Sequence, residues 1–313
     1  MTDHHLSASV ETCHWGFFDP DLSPVLTVAS GDQVTIETVS GGPDILPDGD
    51  YHIPPELLDI NARSERELPG HILTGPVAVE GAEPGDMLEV RIDDVRLRQD
   101  WGWNFIRPLA GTLPEHFHEP HLTIIDLDAE TNLGRLPWGI DLPLAPFFGV
   151  MGVAPPTPWG RISSIQPRAH GGNIDNKELV AGTVLYLPVF QPGAMFSCGD
   201  GHGVQGDGEV NVTAIETALS GTFTLTVHKG AGLEHPEAET PTHLITMDMH
   251  PDLDRCAEQA LLRMISLITA RSTMTREQAY TLCSLAADLR ITQTVNGNKG
   301  VHCVLAKDLV DGG

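Results

Sequence analysis

Hydrophobic and polar residues alternate with a period of two in several short stretches of the chain. In the first half, residues 33–38 and 88–92 follow this pattern, which is typical of half-buried β-strands, and a further strand is expected through Val77 and Val79. Segments rich in glycine, proline and aspartate at 30–32 and 83–86 precede two of them and indicate turns. Turns and strands that repeat at such short intervals favour a β-sandwich or barrel.

Further along, β-branched and apolar residues predict five more strands, and two long segments lack any regular pattern. The strands are expected at 179–190, 210–217, 223–227, 291–295 and 301–305. The segment 40–70 is expected to be a long polar loop, which in a compact chain is usually functional or flexible. Residues 136–171, dense in proline and glycine, are expected to form an irregular wall of the site or a subunit contact.

The last quarter of the chain changes to a period of three and four residues, which predicts two amphipathic helices. The first is expected over 253–268. The second begins at Thr275, where Gln278 three residues later completes a capping-box pattern, and its apolar face is expected to extend to Leu289.

The predicted fold class is therefore mainly β, with a C-terminal pair of α-helices, and α+β overall. The sandwich- or barrel-like β body is expected at 1–245 and 291–313, and the helical pair at 252–289. Because neither a linker nor an internal repeat divides the chain, we expect a single domain over 1–313.

Charge and composition narrow the range of partners. The 313 residues carry a formal net charge of −25, a surface that repels nucleic-acid phosphates and anionic lipids, so neither nucleic acid nor membrane is expected as a partner. The five cysteines are scattered and never form a CxxC pair, which argues against a disulfide framework or a thiolate zinc site. Since no long apolar run or signal-like leader is seen, a cytoplasmic location is expected.

The stretch GDGHGVQGDGE, from Gly199 to Glu209, carries the densest set of metal-binding side chains. Asp200 and His202 are two residues apart, as are Asp207 and Glu209, and such pairs face the same side of an extended backbone. The intervening glycines let the backbone approach a ligand closely. Imidazole with carboxylate suits zinc, and carboxylate with carbonyl oxygen suits calcium. The alternative is an acidic, glycine-rich surface turn.

Four more residues are candidates for the same site. Asn173 and Asp175, in the segment GGNID, repeat the pattern of a polar pair beside glycines and are expected to bind substrate or to complete a metal site. His71 is a more distant candidate for a third metal ligand. Trp103, in the segment WGW, is expected either to line a pocket or to pack at the end of a hairpin.

Nine segments, in order along the chain, resemble the acetamidase/formamidase family. They are SGDQVTIET (30–38), LTGPVAVEGAEPGDMLEV (73–90), WGW (101–103), GVMGVAP (149–155), GGNID (171–175), GTVLYLPV (182–189), GDGHGVQGDGEV (199–210), TAIET (213–217) and REQAYTLCSLAADLRI (276–291). The resemblance implies hydrolysis of small amides such as formamide and acetamide to the acid and ammonia. It also implies a largely β fold, an oligomer and a divalent metal, zinc with calcium. The chain departs from the family pattern at 39–42, where the family often places an acidic residue.

The chemistry of amide hydrolysis assigns roles to the candidate residues. An amide needs a strong nucleophile, stabilisation of an oxyanion and a proton for the departing nitrogen, and a metal that activates water meets the first two needs. Zinc is the expected metal, with calcium as a second, structural ion. The metal ligands are expected to be Asp200, His202, His71 and Asp175. Glu209 is expected to be the general base, and Asp207 a second catalytic carboxylate, a ligand or a supporting group.

The expected partners are a small neutral amide, bound by Asn173 and Trp103, and further copies of the chain. Apolar surface at 137–160 and on the helical pair, together with the resemblance, predicts a homodimer or higher homo-oligomer. One alternative is a hydrolase for a larger amide, a carbamate or a urea-like compound, and another is a non-catalytic metal- or sugar-binding β module. A nucleophilic Cys198 is disfavoured, because the neighbouring Asp200 would raise the pKa of its thiol unless a cation lay close.

Overall fold

The computed structural model describes residues 2–311. Strands take up 39% of the chain and helices 16%, which confirms the predicted mainly β class with C-terminal helices. Within the described residues, the helices are α1 (Pro55–Arg63), α2 (Leu253–Arg271), α3 (Arg276–Ala286) and α4 (Asp308–Asp311). Two short 3-10 helices cover Pro43–Ile45 and Thr157–Trp159.

The strands range in length from two to eleven residues. The first along the chain are β1 (Asp3–Leu6), β2 (Cys13–Trp15), β3 (Phe17–Phe18), β4 (Leu26–Val28), β5 (Asp32–Glu37), β6 (Ile72–Val79), β7 (Met87–Leu97), β8 (Trp101–Ile106), β9 (His121–Asp128), β10 (Leu133–Leu136) and β11 (Ile140–Pro143). They are followed by β12 (Phe147–Gly152), β13 (Ile162–Ser163), β14 (Gly171–Asn173), β15 (Val184–Pro188), β16 (Phe196–His202), β17 (Leu219–His228), β18 (Glu237–Glu239), β19 (His243–His250), β20 (Asp288–Gln293) and β21 (Lys299–Ala306).

Two large sheets form the body of the protein. The first has the strand order β1-β5-β17-β7-β15-β18-β19-β21-β20, and the second has the order β14-β12-β16-β6-β2, with β4 also paired to β6. A four-stranded sheet, β11-β10-β9-β8, and the small pair β13-β3 complete the set. The pairs β1–β5 and β4–β6 are parallel, and the other strand pairs of these sheets are antiparallel.

The main hydrophobic core takes side chains from both large sheets, as in a β-sandwich. Val34 and Ile36 of β5 belong to one buried cluster with Phe148 of β12 and Phe196 of β16. The alternation predicted for this part of β5 is confirmed, since its residues alternate between buried and half-buried. Burying each such aliphatic or aromatic side chain contributes about 1.5–3 kcal/mol. This core therefore fixes β12 and β16, the strands that carry the candidate site.

Helices α2 and α3 cover one face of β19 and β21 and form a second core with them. The capping box predicted at Thr275 and Gln278 is confirmed, because each residue's side chain accepts the backbone N–H of the other. The predicted extent of this helix was wrong at its C-terminal end. Helix α3 ends at Ala286, and Leu289 lies in β20, because residues 288–293 pair with β21 as an antiparallel strand.

The segment 40–70 is not the continuous loop that its prolines and glycines predicted. Helix α1 occupies Pro55–Arg63 and buries Leu57 and Ile60, which lie on one face of the helix. Pro55 stands at the first helical position, where a missing N–H costs nothing. The expected loop at 40–70 is therefore interrupted by a helix that begins at a proline.

Three other boundaries differ from the sequence prediction. Residues 210–217 form turns with isolated bridges rather than a strand, and Val210 is exposed. The segment 136–171 includes the fully buried strand β12, whose apolar run is flanked but not interrupted by prolines. The strand predicted at 179–190 is shortened to β15, because Gly182 has a φ of 91° and turns the chain before it.

The four-stranded sheet adjoins the second large sheet near the end of β16. Backbone bridges connect Glu216 to Trp103 of β8 and to His202 of β16. Two sheets and an irregular segment therefore meet at this point. No helix in the described part of the chain is both long enough and apolar enough to span a membrane.

Candidate active site and metal centre

Three neighbouring strands bring the first group of candidate residues together. Asp200 and His202 lie at the end of β16, Asp175 lies just beyond β14, and β12 runs between these two strands. A Cβ placed on Gly149 of β12 would lie 2.6 Å from Oδ1 of Asp175, 2.6 Å from Oδ2 of Asp200 and 2.7 Å from Cε1 of His202. The absence of a side chain at Gly149 therefore provides the space in which the three functional groups meet.

Two glutamates complete the cluster. Oε1 of Glu216 lies 3.3 Å from Nε2 of His202, and the backbone of Glu216 is fixed by reciprocal hydrogen bonds with Trp103. Glu209 is buried after the turn at 206–208. His202 thus lies between two groups of carboxylates, one on the strands and one on the segment that leads to β17.

The ligand atoms of this cluster are close enough to share a cation. The atoms of Asp175, Asp200 and His202 lie within 4.8 Å of one another, as do those of His202, Glu209 and Glu216. Nε2 of His202 is 3.3 Å from Oδ2 of Asp200, yet within residues 2–311 neither ring nitrogen makes a hydrogen bond, and Oδ1 of Asp175 also lacks one. Buried polar atoms normally make hydrogen bonds. These nitrogen and oxygen atoms are instead free to ligate a metal, and they suit a divalent cation that prefers imidazole and carboxylate ligands.

The backbone of the cluster is held in an unfavourable conformation. Asp175, Asp200 and Glu209 have φ values of 50°, 57° and 43°, in the left-handed region that side chains other than glycine seldom adopt. Such a residue costs of order 1–3 kcal/mol and persists only where the surroundings enforce it. Residues of this kind concentrate at active sites and ligand sites, which supports a functional role for the cluster.

Asn296 holds two of the carboxylates in place. Its Nδ2 lies 3.1 Å from Oδ2 of Asp175, 3.1 Å from Oε2 of Glu209 and 2.9 Å from Oε1 of Gln293. Gln293 in turn donates to the backbone oxygen of Asn173 at 2.7 Å. The turn between β20 and β21 therefore supports the cluster from the C-terminal part of the chain.

The cluster contains more buried carboxylates than positively charged groups, and the pKa values of several of them are shifted as a result. Burial raises the pKa of Glu209 to about 8, and nearby carboxylates add to this effect against the opposing imidazole of His202. Burial and neighbouring carboxylates also raise the pKa of Asp175 well above its ordinary value. Burial opposes ionisation of Asp200 as well, but the two adjacent imidazoles outweigh it and lower its pKa. A bound cation would relieve the repulsion between these groups.

His71 lies at the edge of the cluster, and Ser164 orients it. Nε2 of His71 is 3.7 Å from Oδ2 of Asp200. Oγ of Ser164 accepts the backbone N–H of His71 at 2.9 Å and lies 3.1 Å from its Nδ1. Among the described residues this hydroxyl has no other hydrogen bond, so it is free to donate to Nδ1. In a neutral imidazole that contact leaves the ring proton on Nε2, facing Asp200.

A cavity of about 590 Å³ opens above the cluster. Asp200, Glu209 and Glu216 contribute to its floor, together with Asn173 and Asn296. Asn173 donates through Nδ2 to the backbone of Ile165, while its Oδ1 has no hydrogen-bond partner in the described part of the chain. The buried Trp103 lines the same cavity and donates through Nε1 to Ser40 at 3.3 Å. Both residues predicted to contact substrate therefore reach the cavity.

Known proteins share both the sequence pattern and the fold of this chain. The model of the "Acetamidase/Formamidase family" matches residues 2–159 and 160–308. The chain belongs to the acetamidase/formamidase family. A formamidase from Methylophilus methylotrophus is 29% identical over 258 residues, which cover 64% of this chain and 60% of that protein. The chain thus spans less than two thirds of the length of this curated relative.

Solved structures of acetamidases have the same fold over almost the whole chain. The acetamidase from Bacillus halodurans is 33% identical, with a TM-score of 0.84 over 97% of this chain and 98% of that one. The acetamidase from Yersinia enterocolitica is 28% identical, with a TM-score of 0.85 over 98% of this chain and 93% of that one.

The segments that resemble the acetamidase/formamidase family are also the segments that build the cluster. GDGHGVQGDGEV supplies Asp200, His202 and Glu209, GGNID supplies Asp175, and TAIET supplies Glu216. The spacing within GDGHGVQGDGE predicted Asp200, His202 and Glu209 as site residues. Glu216 and Asn296 were missed, because each stands alone among residues that indicated only a strand or a turn. The shared segment TAIET was the one available sign of Glu216.

Asp207 does not join the cluster that the acetamidase/formamidase segments form. It makes an ion pair with Lys177 at 2.8 Å and is partly exposed. The expectation that Asp207 and Glu209 converge relied on an extended backbone, and Gly208, with a φ of 101°, together with Glu209 breaks that geometry. Cys198 points into the main core and is fully buried, and burial raises the pKa of its thiol.

Proposed function

We propose that this protein hydrolyses a linear amide to a carboxylic acid and ammonia. The observation that carries the proposal is the buried carboxylate–imidazole cluster at the floor of a cavity, where the ring nitrogens of His202 and Oδ1 of Asp175 make no hydrogen bond to any described residue. Relatives named formamidase and acetamidase support the same reaction. A water molecule supplies the new C–O bond, the C–N bond breaks, and the nitrogen leaves as ammonia.

The residues that would hold a divalent metal are Asp175, Asp200, His202 and Glu216. Zinc is the metal that we propose, because an imidazole with carboxylates matches its preferences, and calcium is proposed as a second, structural ion. When bound, such a metal lowers the pKa of a water molecule and polarises a carbonyl group. His71, whose Ser164 contact directs Nε2–H inward, is better placed to donate a hydrogen bond than to bind the metal.

Glu209 is the residue that we propose as the general base. It lines the cavity, Asn296 orients its carboxylate by a contact of 3.1 Å to Oε2, and we assign Oε1 to the reacting water. A carboxylate in this position accepts a proton from the attacking water and passes it to the departing nitrogen. Asp207, which pairs with Lys177, is then a supporting residue outside the reaction itself.

Asn173 and Trp103 are proposed to bind the amide group. Oδ1 of Asn173, which accepts no hydrogen bond from the described residues, is an acceptor for an amide N–H, and the indole of Trp103 forms an apolar wall. A neutral amide group suits a floor rich in carboxylates, where an anionic group would be repelled. Formamide and acetamide are the simplest such substrates. The volume of the cavity also favours the second candidate, a larger amide, carbamate or urea-like compound.

A homo-oligomer is proposed as the state in solution. Leu109, Leu113 and Phe117, in the connection between β8 and β9, are exposed, as is Trp138 in the turn between β10 and β11. Because both connections lie at the same end of the four-stranded sheet, they place large apolar side chains on one side of the molecule. Exposed apolar surface of this kind is typical of a subunit contact.

Release of ammonia from formamide and acetamide tests the proposed reaction. We expect release that is proportional to the amount of protein. A panel that adds larger amides, carbamates and urea separates the first candidate from the second. A protein that binds metal but releases ammonia from none of these compounds would be a non-catalytic module, and the proposal would be wrong.

A further inference from the structure

The cavity is much larger than formamide or acetamide requires. Its volume of about 590 Å³ lies within the range of about 300–1,000 Å³ that is typical of pockets for drug-sized ligands. A water molecule takes up about 30 Å³ of liquid, and formamide needs the space of only a few such molecules. The cavity therefore has room for a substrate whose far end reaches well beyond the amide group.

Two arginines line the exposed part of this cavity. Arg66 and Arg107 are both exposed lining residues, whereas the cluster at the floor is buried. The guanidinium carbon of Arg66 lies 5.7 Å from the ring centroid of Trp15, and that of Arg107 lies 5.3 Å from that of Phe105. Both rings line the cavity too. Such stacking holds a guanidinium plane while its N–H groups stay free to donate.

The free guanidinium groups contrast with the rest of this acidic protein. Positive charge is scarce, with 18 lysines and arginines against 43 acidic residues, and many of the other arginines are paired, as Arg263 is with Asp248 and Arg290 with Glu178. In the described part of the chain, neither Arg66 nor Arg107 makes an ion pair. Asp44 is an exposed acidic residue that also lines the cavity.

We propose that Arg66 and Arg107 form a subsite for a carboxylate, and that the substrate is a linear amide whose opposite end is a carboxylate. The inference rests on the proposed amidase function. The neutral amide end enters the floor, where carboxylates would repel an anion, and the anionic end stays at the mouth beside the guanidinium groups. This charge separation allows a substrate that is anionic overall, in place of the neutral one expected from the acidity of the floor alone. Hydrolysis of such a compound gives a dicarboxylate and ammonia.

The test compares glutaramate with its neutral isostere glutaramide by initial rates of ammonia release. For the unaltered protein we expect kcat/KM to be at least about ten-fold higher for glutaramate, since a charge-assisted hydrogen bond is worth about that much, and we expect added salt to reduce the preference. Arg66→Gln and Arg107→Gln should each lower the ratio of the two kcat/KM values by about ten-fold, and Arg107→Lys should lower it less.

Two control variants separate the subsite from a general effect of charge. Arg255→Gln removes a cation on α2, away from the cavity, and should leave the ratio unchanged, whereas Asp44→Asn removes the acidic group at the mouth and should raise it. A preference for glutaramide, or a ratio that neither Arg66→Gln nor Arg107→Gln alters, would overturn the subsite.

The design also distinguishes failure of the subsite from failure of the proposed function. If no amide, including formamide and acetamide, releases ammonia, then the amidase proposal is wrong. Calorimetric titration with glutarate still decides the subsite in that case. Binding that weakens by about ten-fold in the two arginine variants supports it, and equal binding by all variants, or none by the unaltered protein, contradicts it.

Discussion

At the scale of single residues, Glu209 is the carboxylate whose role can be separated from that of its neighbours. Glu209→Gln keeps the size of the side chain and removes the proton acceptor, while the other carboxylates of the cluster and His202 remain. We expect kcat to fall by about 10²–10⁴-fold, the usual contribution of a general base, with the metal retained. Kinetics and elemental analysis on one preparation check this. If metal and activity are lost together and zinc restores both, Glu209 is a ligand instead.

Ser164 offers a second test at this scale, because it acts only through His71. Ser164→Ala removes the contact with Nδ1 and the acceptor of the His71 backbone N–H, so we expect kcat to fall by about ten-fold, as for one lost hydrogen bond of about 1 kcal/mol or slightly more. Metal content should stay unchanged. Ser163→Ala is the matched control, since Ser163 is the neighbouring residue at the end of β13, donates to the backbone of Pro69, and among the described residues makes no hydrogen bond to His71. Equal effects of both substitutions would show that Ser164 only stabilises the loop.

Individual site residues differed in how far the sequence could reveal them. Asp200, His202 and Glu209 stood out because glycines separate them at short spacing, and the fold does bring them together. Asp207 has the same spacing but turns away, since spacing predicts a shared face only in regular backbone. Asn296 comes from a distant turn, and nothing in its local sequence shows that the fold carries it to the carboxylates.

At the scale of secondary structure, the site depends on the lack of a side chain at Gly149 of β12, the strand between β14 and β16. Gly149→Ala would place a methyl group 2.6 Å from the carboxylates of Asp175 and Asp200, closer than van der Waals contact permits. We expect this variant to fold with reduced thermal stability and to lose both metal and activity. Gly206→Ala is the control, because a Cβ there meets nothing within 4 Å. A fully active Gly149→Ala protein that keeps its metal would show that the cluster is not the site.

Strands and helices were predictable from the sequence where a single periodic pattern of hydrophobic residues was present. Alternation located β5 and β7, and the period of three and four residues with a capping box located α2 and α3. Prediction failed at Pro55, because a proline usually indicates a loop but is tolerated at the first position of a helix, where it begins α1. It also failed at 210–217, where apolar residues lie in turns that tertiary contacts impose.

At the scale of the whole molecule, the exposed apolar end of the four-stranded sheet predicts self-association. Leu109, Leu113, Phe117 and Trp138 contribute to it, and burying such side chains between copies would stabilise a closed oligomer. We expect a mass that is a multiple of 33.8 kDa by light scattering at micromolar concentration. Trp138→Ser combined with Phe117→Ser should shift the protein toward the monomer. A monomeric mass for the unaltered protein would contradict the proposal.

The central claim is that one buried cluster both holds a divalent metal and hydrolyses an amide. The most direct measurement follows metal content and ammonia release from acetamide on a single preparation, before and after chelation and after zinc is returned. We predict that the protein contains a divalent ion as purified, that activity falls in parallel with the loss of the ion, and that zinc restores it. Undiminished ammonia release by protein shown to contain no divalent ion would contradict the account.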